Sequence, residues 1–165
     1  MSRAATLRQG KRRAPGDVAG EPLGEVLEFM RVLWSIDHGL NSMSKRMATS
    51  VGVTGPQRLA LRLVGRAPGI TAGELAVILH IDPSTMSGVL HRLEDRALIV
   101  RRPDPNDKRR ALLALTAKGT RLDGLRSGTV EARVKTALAG VPTSRVRAAH
   151  ELLSSIAAAL ARPTR

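Results

Sequence analysis

Between Thr71 and Leu115 the chain runs two short capped helices straight into an alternating hairpin, and this run constrains the fold more than any other feature. Thr71-Ala-Gly-Glu74 places a glutamate three residues after a threonine, a capping box that opens a helix with Leu75, Ile78 and Leu79 on one face. His80-Ile-Asp82 forms a tight turn, and Asp82-Pro83 restarts the chain as N-cap and first-turn proline. From Pro83 to Arg96, Met86, Val89, Leu90 and Leu93 recur at helical spacing, while Ser84, Thr85, Ser87, Gly88, His91 and Arg92 take the other face. Two alternating runs follow, Leu98 to Arg102 and Arg110 to Leu115. The segment between them, Pro103-Asp-Pro-Asn-Asp-Lys108, is turn chemistry throughout.

In physical terms the two helices are a helix-turn-helix: the first buries its apolar face, and the second offers a small, polar N-terminal half that fits a major groove. Serine, threonine, histidine and arginine there reach base edges and phosphates without bulk. Taken alone, the same pattern also describes an ordinary helical hairpin with a solvated face. The basic β-loop directly after it favours the DNA reading, because such a wing places an arginine in the minor groove beside the major-groove helix. Composition points the same way. The 165 residues carry 27 Lys and Arg against 14 Asp and Glu, a formal charge of +13, which suits a polyanionic partner. Phe29 and Trp34 are the only aromatics, which counts against readers that stack single-stranded bases on aromatic platforms. With no cysteine, disulfides, thiolate metal sites and thiol redox sensing are excluded.

The flanking regions read as helices. Val26, Met30, Leu33, Ile36, Leu40, Met43 and Met47 step by three and four along a long helix from Glu25 to Met47. Thr54-Gly-Pro-Gln57 is another capping box, opening a short helix expected to turn Leu59, Leu63 and Val64 inward. Thr116 caps a weaker helix to about Leu138, interrupted by Gly119, Gly124 and Gly128. Thr143 is expected to cap the last helix, whose Val146, Ala149, Leu153, Ile156 and Leu160 make a narrow packing seam. Residues 1–16 hold five basic residues and no acid, and lack the apolar core of a secretory signal, so they read as a basic arm; a transit peptide is the other reading.

Leu75-Ala76, Asp82-Pro-Ser-Thr-Met-Ser87, Arg92-Leu-Glu-Asp-Arg-Ala-Leu98, Ile99-Val-Arg-Arg102, Asp104-Pro-Asn-Asp-Lys-Arg109 and Leu115-Thr116 with Gly119 resemble the winged helix-turn-helix of the multiple-antibiotic-resistance regulator (MarR) family. The resemblance is strongest over residues 55–120. It departs from the usual acid-x-Arg-acid-x-Arg wing, since Asn106 stands where the first arginine is common. Gly88 stands where many members carry a longer side chain. The resemblance implies a mainly α fold with a small β-hairpin wing, terminal dimerisation helices, and a homodimeric, cytoplasmic transcription regulator, usually a repressor, on a pseudo-palindromic operator. In that scheme Ser84, Thr85, Ser87, His91 and Arg92 face the major groove. Asp107 orients Arg109 toward the minor groove, Lys108 and Arg110 lie near phosphates, and Arg101 is a further DNA-binding residue; the other reading of Arg101, Arg102 and Arg110 is a solvated strand face. A small aromatic or phenolic ligand often releases such regulators, and Trp34 and His38, four apart on the first helix, are the residues expected to line its crevice. The other reading of Trp34 is plain helix core.

The expected organisation is a basic disordered arm over 1–22, dimerisation helices over 23–53 and 117–165, and the DNA-binding region over 54–116. Both terminal helices carry apolar stripes that one chain leaves uncovered, and joining two copies through them sets two recognition helices about one DNA turn apart. Four scattered histidines (His38, His80, His91, His150) form no close pair, so neither metal nor cofactor is expected. No enzyme signature is present: no phosphate-binding loop, no H-E-x-x-H and no G-x-S-x-G. Two alternatives stay open, a basic protein that coats DNA without sequence preference and a winged-helix module for protein contacts.

Overall fold

The computed structural model describes residues 24–107 and 109–161; the basic arm expected over 1–22 and Lys108 lie outside them. The order is α1 (Glu25–Ser50), α2 (Gly55–Arg66), α3 (Ala72–Leu79), α4 (Pro83–Asp95), β1 (Ile99–Pro103), β2 (Ala111–Leu115), α5 (Ala117–Asp123), α6 (Val130–Ala137) and α7 (Thr143–Leu160). The chain divides into two compact units at His38/Gly39, within α1. The fold is therefore mainly helical with one small antiparallel hairpin.

The caps form where the sequence places them. Thr54 and Gln57 close a reciprocal capping box on α2, and Thr71 and Glu74 close one on α3. Asp82 caps α4 by accepting the Ser84 amide, with Pro83 in the first turn. Thr143 does not cap α7: it is the first helical residue, Pro142 holds the cap position, and no side chain bonds there. The interruptions foreseen at Gly124 and Gly128 split the segment from Thr116 to Leu138 into two helices, α5 and α6, whereas Gly119 lies inside α5. Gly124 closes the first and Gly128 takes a φ of +71°, a conformation that ends helices and that glycine adopts without cost.

The core belongs to the second unit. Leu61 and Val64 of α2, Leu75 of α3, Met86, Leu90 and Leu93 of α4, Ile99 of β1 and Leu113 of β2 enclose it, all essentially fully buried. Two inward assignments are corrected: Leu59 is 50% exposed and Ile78 is 52% exposed, because Ala60 and Ala76 occupy the inward positions beside them. The small alanines let α2, α3 and α4 approach closely. In the hairpin, Ile99 pairs with Leu115 and Pro103 with Ala111. The far edge of β2 is closed by the loop before α3, Gly69 donating to the Leu113 carbonyl and Leu113 to that of Ile70. Where α5 crosses the base of the wing, a Cβ on Gly119 would overlap the Leu98 carbonyl, so only glycine fits.

Outside this core the helices are bare. Neither α6 nor α7 buries a residue, and Leu152, Leu153 and Leu160 on α7 are 51%, 42% and 77% exposed. The stripe on α1 is equally open, from Val26 to Leu40.

Candidate nucleic-acid interface

The exposed face of α4 follows from the periodicity that buries its other face. With Met86, Val89, Leu90 and Leu93 inside, Ser84, Thr85, Ser87, Gly88, His91 and Arg92 are all exposed. Ser84 donates its hydroxyl to Asp82 at 2.5 Å, and Ser87 donates to the Pro83 carbonyl at 2.9 Å, so both side chains are held in the first turn. The Ser84 hydroxyl, then its amide, hold the Asp82 carboxyl below its ordinary range. His91 lies 3.6 Å from Asp95, one turn on. The side chains of Thr85 and Arg92 have no hydrogen-bond or ion-pair partner among the described residues.

The wing is built by carboxylates. Asp104, nearly buried, accepts the Asn106 amide at 2.9 Å, and its own amide donates to the Arg110 carbonyl. Asp107 accepts the Arg109 amide at 2.9 Å, and the Arg110 amide donates to the Asp107 carbonyl. The sequence expectation was a carboxylate aligned on the Arg109 guanidinium; in the structure Asp107 instead shapes the turn from which that guanidinium projects. The side chains of Arg109 and Arg102 are exposed and have no described partner.

The other two wing arginines have partners. Arg110 lies 3.7 Å from Glu74 and 4.0 Å from Asp104, which ties the wing to the start of α3. The Thr71 amide, then the Thr71 hydroxyl, hold Glu74 below its ordinary value, with Arg110 adding to the effect. Arg101 donates its Nε–H to both oxygens of Glu94 at 2.9 Å. Among the DNA-facing residues expected from sequence, α4 and the wing thus bring together all but Lys108, which lies outside the described residues. On α1, Trp34 is 65% exposed and His38 is exposed, so within one chain Trp34 is not core.

Sequence reasoning missed the polar centre behind this surface. Arg58, 1% exposed, donates to Glu131 at 2.7 Å and to the carbonyls of Leu122, Asp123 and Leu125. Arg62 adds a 3.0 Å pair with Asp123. One buried guanidinium thereby bonds three carbonyls at and just beyond the end of α5. Burial pushes the Glu131 carboxyl up, but its own backbone amide and Arg58 pull it further down, to a net position below its ordinary value. The only signal in the sequence was that Arg58 falls three residues before Leu61, on the face of α2 that is buried.

Comparison with known proteins places this arrangement. A family model described as MarR family matches residues 51–110. The transcriptional regulator HosA of Escherichia coli is 36% identical over 70 residues, covering 42% of this chain and 52% of that protein. The first curated relatives are spanned over only 46% and 62% of their length. Among solved structures, MepR of S. aureus in complex with DNA matches with a TM-score of 0.67 at 21% identity, covering 80% of this chain and 97% of MepR. PcaV of Streptomyces coelicolor, solved with its natural ligand, matches with a TM-score of 0.67 at 24% identity, covering 90% of this chain and 99% of PcaV.

Proposed function

We propose that this chain, residues 51–110 of which match a MarR family model, is a sequence-specific, double-stranded DNA-binding transcription regulator of that family. It acts as a repressor, on a pseudo-palindromic operator, as a homodimer in the cytoplasm. The observation that carries this reading is the exposed polar face of α4 beside the unpaired Arg102 and Arg109 of the wing, on a chain of charge +13. Ser84, Thr85, Ser87, His91 and Arg92 read the major groove; Arg109 enters the minor groove from the turn that Asp107 shapes, with Arg101, Lys108 and Arg110 near phosphates. Residues 1–22 add sequence-independent phosphate contacts, 54–116 form the DNA-binding region, and the apolar faces of 23–53 and 117–165 join two copies. No described helix is long and apolar enough to cross a membrane. The relatives named above are transcription regulators, and the chain needs no catalytic group for this role.

The test is selection of duplexes from a random pool by the full chain, followed by footprinting of the enriched sequence. A dyad with half-site centres about one helical turn apart is expected. Retention of all duplexes alike would instead support non-specific coating. A small aromatic or phenolic ligand that releases DNA would contact Trp34 and His38. Trp34 is the only tryptophan, so its fluorescence reports such binding directly; a ligand that lowers operator affinity without changing that emission excludes this assignment.

A further inference from the structure

We propose that Glu94, an acid beside a surface meant for a polyanion, is a positioning residue that aims Arg101 at the DNA backbone. The inference rests on the DNA-binding function proposed above. Glu94 is on the last turn of α4 and Arg101 is the third residue of β1, so the pair joins the recognition helix to the wing. Both Glu94 oxygens lie 2.9 Å from a single donor, the Arg101 Nε–H. A carboxylate that grips the Nε edge leaves both Nη groups, with four N–H donors, without a described partner. The Arg101 side chain is 37% exposed and that of Glu94 is 27% exposed, so the acid is the more sheltered member.

The strand explains why this arginine needs help. Ile99 and Arg101 share one face of β1, and Ile99 is buried in the core. An arginine there starts beside the apolar interior, and its long stem has many rotamers to lose before it binds a phosphate. Glu94 removes that freedom before DNA arrives, as preorganisation requires. Arg110 is held more loosely, at 3.7 and 4.0 Å, and the described bond of Asp107 goes to a backbone amide. Among the described wing arginines, Arg101 alone is fixed by a carboxylate at hydrogen-bonding distance.

The sign of one effect decides the matter. Simple electrostatics says that removing an acid near DNA tightens binding. Positioning says that Glu94→Ala weakens it. The full chain is titrated against a 30-bp duplex that the wild-type chain enriches from a random pool, across a series of salt concentrations. Arg101→Ala is expected to weaken binding at least tenfold and to reduce the slope of log affinity against log salt by about 1. Glu94→Ala is expected to weaken binding three- to tenfold and to move the slope toward that of Arg101→Ala. The double variant is expected to bind no worse than Arg101→Ala. Glu94→Ala binding as tightly as wild type, or more tightly, overturns the proposal. So does weaker binding with the full wild-type slope, the mark of a merely structural pair that leaves the phosphate contact in place. Wild-type protein that enriches no duplex overturns the function itself, and this inference with it.

Discussion

Arg109 stands past a turn held by Asp107, with no described partner to pay for if it is removed. Arg109→Ala is therefore expected to leave the melting temperature almost unchanged, within ~0.5 kcal/mol of stability. Operator affinity should fall by about 1–3 kcal/mol, the scale of one good groove contact. A large loss of thermal stability in the same variant would mean that the guanidinium is structural. Ala97 presents the opposite case. It takes a φ of +52°, a left-handed conformation that costs an L-residue roughly 1–2 kcal/mol. Ala97→Gly relieves that cost but gives the unfolded chain more freedom, so a net gain of about 0.5–1 kcal/mol is expected in denaturant melts. Equal or lower stability would show that the turn before β1 carries no strain. At this scale the sequence was legible where chemistry is local. Asp82, Thr54 and Thr71 act within three residues of themselves. Arg58 was not legible, because its acceptors lie more than sixty residues away and arginine is rarely buried.

Among the elements, α5 and α6 depend most on contacts from elsewhere. Their junction contains Gly124 and Gly128 and is held by Arg58, which serves one carboxylate and three carbonyls. Arg58→Met keeps much of the volume and removes every donor. It should cost about 1–3 kcal/mol, as removing a buried hydrogen-bond donor does, and amide exchange should rise across residues 122–131. Unchanged exchange there would remove Arg58 from this role. Glu131 adds a pH dependence of definite sign. Its folded carboxyl titrates below its ordinary, unfolded value, so its contribution is present above that unfolded value and fades as pH falls through the folded one. Wild type should melt above Glu131→Gln at pH 7, and the two curves should converge in acid. A gap that widens on acidification would reverse the assignment. Helix boundaries were readable for the same reason that caps were. The break at Gly124–Gly128 was legible from its glycines; that Gly119 sits inside α5 was not, because the Leu98 carbonyl that calls for glycine there is distant in sequence.

For the whole molecule, burial is lopsided. The winged helix closes over a core of its own, while α6 and α7 bury nothing in one chain. Deleting residues 143–165 should leave a monomer or an aggregating chain with much weaker operator binding, measured by sedimentation. An unchanged dimer would remove α7 from the interface. The seam on α7 was readable from its spacing by three and four. Its emptiness was not, since periodicity shows which face is apolar and not what covers it.

Under the proposed homodimer, the bare face of α7 makes the amount of this protein part of its mechanism. If two chains must meet before either is covered, the concentration of the binding species falls with the square of chain concentration when monomers predominate. Halving the supply then leaves about a quarter of the pairs, and occupancy of the operator follows. A regulator built this way responds to its own dilution, as at cell division, more steeply than a one-chain reader does, with no effector involved.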